Sequence, residues 1–100
     1  MPKFKVQLSG ENIHVEFIER KWLFKKKIYS KKVGFYTTRF VETESSEAAI
    51  ELVFNMVRKE LKDDGRLTNE TVIELEEIEE DEEAFDKYAP GKGYTFFDQN

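Results

Sequence analysis

Phe4, Val6 and Leu8 alternate with Lys3, Lys5, Gln7 and Ser9, and Ile13, Val15 and Phe17 take up the alternation again after Gly10-Glu11-Asn12. A period of two over so long a stretch commits the start of the chain to β-structure with one buried face. Glycine and asparagine supply the positive backbone angles of a tight reversal, so the pattern predicts a hairpin of strands at 3–9 and 12–18. Its apolar face is Phe4, Val6, Leu8, Ile13, Val15 and Phe17.

Residues 19–32 read as a long hairpin arm. Trp22, Phe24 and Ile28 favour a strand, but three consecutive lysines, Lys25 to Lys27, cannot all face a core. Lysines on such a ladder guard an exposed edge against unwanted pairing. The strand over 33–42 is rich in β-branched and aromatic residues. It places Val33, Phe35, Thr37, Arg39 and Val41 on one face and Tyr36, Thr38 and Phe40 on the other, so both faces carry large apolar groups.

The period then becomes helical, with Ala49, Ile50, Val53, Met56, Val57 and Leu61 at steps of three and four. Ser45 or Ser46 caps this helix over 46–62, and Gly65 ends it. Residues 70–78 predict a glutamate-rich edge strand with a bulge, with Ile73 and Leu75 on one face and Val72 and Ile78 on the other. A short acidic helical turn follows near 81–88, broken by Pro90 and Gly91. Tyr94-Thr-Phe-Phe97 closes the chain as a short C-terminal strand or an aromatic clasp. The expectation is a single α+β domain over residues 1–100, a mainly antiparallel sheet in the order β-β-β-α-β. One long helix covers one face, in a partly ferredoxin-like arrangement.

Charge is segregated. Residues 1–41 carry ten Lys or Arg against three Glu, and residues 42–100 carry six against eighteen Asp or Glu. Opposite patches on one small domain suit self-association or an acidic face shown to a basic partner. Cysteine is absent, which excludes disulfides, Cys-ligated metals and a thiol nucleophile within this sequence. No stretch approaches the roughly 20 apolar residues of a membrane helix, and the N-terminus lacks the apolar run of a secretory signal. The expectation is a cytoplasmic protein without a membrane partner.

His14 is the single histidine and lies on the polar side of its strand. Pro90-Gly-Lys-Gly-Tyr94 has the residue types of a phosphate cradle, but no Ser or Thr follows the lysine and no helix begins there, so it reads as a turn. The acidic run over 74–83 lacks the glycine and ligand spacing of a calcium loop; its sharper reading is an inhibitor or nucleic-acid mimic acting on a basic partner. Aromatics among the arm lysines, Trp22 and Phe24 included, have the make-up of a single-strand stacking surface. A net charge of −5 argues against a long nucleic acid as partner.

No cofactor is implied, and the inventory leans away from an enzyme towards a small binding or self-associating module. Its expected partner is a second copy, as a homodimer, or another protein. The candidate ligand or interface residues are Tyr36, Thr38, Arg39, Phe40, Trp22 and Phe24. Tyr36, Thr38 and Arg39 would serve the alternative, an anionic-ligand binder or enzyme. The segment Gly34-Phe-Tyr-Thr-Thr-Arg-Phe-Val-Glu42 resembles a group of short bacterial proteins, together with the capped helix, Ile78-Glu-Glu and the Pro-Gly tail. The resemblance implies no particular activity.

Overall fold

A computed structural model describes residues 1–21 and 25–99, with the backbone alone for 17–21 and 25–29. The chain is α+β, with a four-stranded antiparallel sheet and two helices. The elements run β1 (Lys3–Lys21), β2 (Lys25–Glu42), α1 (Ser46–Asp63), β3 (Val72–Glu80), α2 (Glu82–Tyr88) and β4 (Thr95–Asp98). The sheet order is β3-β1-β2-β4.

The expected reversal at Gly10-Glu11-Asn12 is corrected. β1 runs through it, and the β-β-β-α-β order becomes β-β-α-β-α-β. Gly10 pairs with Phe35 and Ile13 with Val33, so β1 spends one residue more than β2 between these pairs. That is a β-bulge, with Asn12 at φ 63. A bulge moves the buried set from even to odd positions, as a turn would. Phe4, Val6, Leu8 and Ile13 accordingly all lie in one core. Gly10 serves close approach, since a Cβ there would stand 2.1 Å from Phe35 Cε1.

A second bulge lies in β3, where Gln7 pairs with Glu77 but Leu8 with Leu75. It corrects the expected facing of Ile78. The extra residue, Glu76, brings Ile78 to Val6 on the same face as Leu75 and Ile73.

In place of one long helix there are two. α1 has 18 residues; Ser45 Oγ caps it by accepting from Ala48 N, and Ala49, Val53, Val57 and Leu61 are buried against the sheet. Past its end, Gly65 at φ 72 lets Arg66 N reach Leu61 O at 2.8 Å. α2 has seven residues, capped by Asp81, and lies over the other face. There Lys3 Nζ bonds Asp86 at 2.7 Å, and Phe40 meets Tyr88. The ferredoxin-like order β-α-β-β-α-β is therefore not the observed one. β4 pairs with β2 from Val33↔Asp98 to Tyr36↔Thr95, and the Phe97 ring occupies the space a Cβ on Gly34 would need.

Candidate functional site

Alternation along β2 sends Arg39 and Thr37 under α1 and Tyr36, Thr38 and Phe40 to the opposite face. On the α1 side, Arg39 is 3% exposed. It forks onto Glu60 through Nη1 to Oε2 at 2.7 Å and Nη2 to Oε1 at 2.9 Å. Its Nε donates to Thr37 Oγ1 at 3.0 Å, and its guanidinium lies 5.3 Å from the centre of the Tyr94 ring. Tyr94 Oη donates to Glu60 Oε1 at 2.7 Å.

Each member of the cluster shifts the pKa of the others. Burial opposes the charge on Arg39, yet the hydrogen bond and charge of Glu60 hold its pKa above the ordinary value. The Arg39 hydrogen bond, with that from Tyr94, holds the Glu60 carboxyl below the usual range despite burial. Burial, and then the bond to Glu60, raise the Tyr94 phenol. Arg39 is thus committed to a carboxylate of its own chain and lies across the sheet from Tyr36 and Thr38. The structure does not bring these three together as an anion site.

The opposite face carries a groove of about 620 Å³. Tyr36, Thr38 and Phe40 of β2, Gln7 of β1, Tyr88 of α2 and the Gly91-Lys92-Gly93 loop line it. Phe40 forms its floor beside Tyr88, with ring centres 6.1 Å apart, and Tyr36 leans on Phe97 at 5.1 Å. Two hydrogen bonds tie the loop to the sheet, and Gly91 lies close against it. Phe40 N donates to Pro90 O at 2.9 Å, and Thr37 Oγ1 donates to Gly93 O at 2.8 Å. At Gly91, φ 76, a Cβ would come within 2.7 Å of Thr38 O.

Phe40 is only 8% exposed. The second sheet face is therefore partly covered by the chain itself, through α2, the loop and Phe97. Trp22 and Phe24 are expected interface residues that lie outside the described residues. Sequence reasoning had the residue types of the Pro90–Tyr94 turn in view. It lacked the anchoring of that turn on β2, which depends on contacts some 50 residues apart. Among the described residues no three His, Cys, Asp or Glu side chains gather as a metal site, and no helix is long and apolar enough to cross a membrane. In comparisons with known proteins, no family model, curated protein or solved structure matches this chain.

Proposed function

We propose that the protein is a small non-enzymatic module that associates with a second copy of itself through the basic β1–β2 arm. One observation carries the reading: the arm outruns its neighbours and sets like charges opposite one another. β3 pairs with β1 only over residues 4–11, and β4 with β2 only over 33–36. The β1–β2 ladder nevertheless continues to Lys21↔Lys25. Among the described residues, no third strand pairs with this extension. A two-stranded ribbon alone is marginal in water.

The register places Arg20 opposite Lys26 and Lys21 opposite Lys25. Like charges directly across a ladder repel, and an anionic neighbour relieves them. Residues 13–32 hold seven basic and two acidic residues, a net +5 in a chain of −5, so the remainder carries −10. The outer strand, β3, presents Glu74, Glu76, Glu77, Glu79 and Glu80, all exposed. Acidic residues on an edge repel a strand of their own kind, but they admit a basic one. Addition of the arm of one copy to the β3 edge of another therefore joins complementary charge to unused backbone hydrogen bonds. Reciprocal docking closes the assembly as a twofold dimer.

A cytoplasmic setting and the likeness of residues 34–42 to short bacterial proteins belong to the same proposal. Light scattering across salt concentrations tests it. A mass of twice 11.9 kDa is expected at about 0.1 M salt, where the Debye length is about 10 Å, with return towards monomer at about 1 M, where it is about 3 Å. A monomer at every salt concentration overturns it.

A further inference from the structure

We propose that the groove over Tyr36, Thr38 and Phe40 binds a small planar monoanion, an aromatic carboxylate, with its ring on the Phe40–Tyr88 floor and its charge met by Lys92. This site lies on the body of the protein and stands independently of the arm. At about 620 Å³ the groove falls within the roughly 300–1,000 Å³ of small-molecule sites. Apolar contact comes chiefly from the Tyr88 ring, 58% exposed, with Phe40, 8% exposed, beside it and inclined by 34°, which suits a flat ring laid on Tyr88.

The polar rim is unspent. Among the described residues, the Tyr36, Thr38 and Thr95 hydroxyls, the Gln7 amide and the Lys92 ammonium make no hydrogen bond or ion pair within the chain. The nearby cations of β1 are committed, Lys3 to Asp86 and Glu82, and Lys5 to Glu77 and Glu79. Lys92 is the one charged residue in the described lining. Lys87, outside the lining, holds its ammonium 5.7 Å from the centre of the Tyr88 ring, and a single positive group within the lining of a chain of net −5 matches one negative charge and disfavours a multiply charged anion. The two hydrogen bonds that flank Lys92, at Pro90 O and Gly93 O, hold its backbone in place before any ligand arrives, so binding costs little loop ordering.

A titration followed by amide NMR tests the site with benzoate, benzamide and acetate as probes. Benzoate is expected to shift the Thr38, Gly91, Lys92 and Gly93 amides saturably, with half-saturation on the order of 1 mM. Benzamide lacks the charge and acetate lacks the ring; each is expected to bind at least about fivefold more weakly, a difference near 1 kcal/mol. Lys92→Gln, at an exposed loop position, is expected to weaken benzoate by a similar factor and leave benzamide unchanged. The proposal is overturned if Lys92→Gln binds benzoate as the parent does, if acetate equals benzoate, if the shifts map to another surface, or if nothing saturates.

Discussion

At the scale of single residues, Arg39 and Glu60 are the least interchangeable pair. The Arg39 side chain is 4% exposed and that of Glu60 is 38%, so loss of one partner is not equivalent to loss of the other. Glu60→Gln strands a guanidinium in the interior, whereas Arg39→Met leaves a carboxylate that can turn towards water. We expect Glu60→Gln to cost about 2 kcal/mol, below the 3–5 kcal/mol of a fully buried pair because solvent screens Glu60. Arg39→Met is expected to cost about 1 kcal/mol or less. Urea denaturation gives both values, and equal losses would show that Glu60 is as dry as Arg39. The acid limb follows from the lowered Glu60 pKa. A depressed folded value gives stability that is present above the unfolded value, about 4.3, and lost as pH falls through the folded one. Arg39→Met should flatten this limb relative to the parent. Arg39 itself was legible in the sequence as the one charged residue on a face with Val33, Phe35, Thr37 and Val41. Its partner was not, because Glu60 is one of many glutamates and only the docking of α1 selects it.

At the scale of elements, the shift from even to odd apolar positions between Leu8 and Ile13 is plain in the sequence, but a turn and a bulge both satisfy it. What decides between them is distant: the register against β2, the Phe35 ring seated on Gly10, and the partners of Asn12. Asn12 N donates to Gln99 Oε1 at 2.7 Å, its Nδ2 donates to Glu70 O at 3.1 Å, and Thr68 and Thr71 hydroxyls bond its carbonyl. Local elements were more readable. The α1 cap at Ser45, the glycine at Gly65 and the acidic turn that becomes α2 all depend on neighbours in sequence. Asn12→Gly keeps the positive φ and gives up side-chain bonds, so we expect a loss of about 1 kcal/mol. Asn12→Val also forces a β-branched residue into the left-handed region and should lose about 2–4 kcal/mol. Equal losses in thermal or urea unfolding would mean that the side-chain bonds, and not the backbone angle, hold the bulge.

At the scale of the whole molecule, two surfaces compete as the place where copies meet: the sheet face opposite α1, and the arm. Apolar residues on both sides of β2 made the face a candidate from sequence, because one helix covers only one side. In the structure Phe40 is packed beside Tyr88 and against Gly91, and Phe97 covers Gly34 beside Tyr36. Tyr36 remains 43% exposed and Tyr88 58%, two separate rings rather than a broad apolar patch. The arm has the opposite character, with charge and open backbone edges extending a molecule 55 × 29 × 24 Å in extent. Two variants separate these surfaces. Phe40→Glu places a carboxylate at a position only 8% exposed, so it is expected to lower stability by at least about 3 kcal/mol. Replacement of Lys25, Lys26 and Lys27 by Glu takes residues 13–32 from a net +5 to −1, at the end of β2 away from Phe35 and Phe40, where α1 and α2 pack. That variant should unfold like the parent yet scatter light as a monomer at about 0.1 M salt, because its arm no longer carries the positive charge that the acidic β3 edge attracts. If Phe40→Glu instead remains folded and monomeric while the lysine reversal stays dimeric, the copies meet through the sheet face, and the arm must find its anionic neighbour elsewhere.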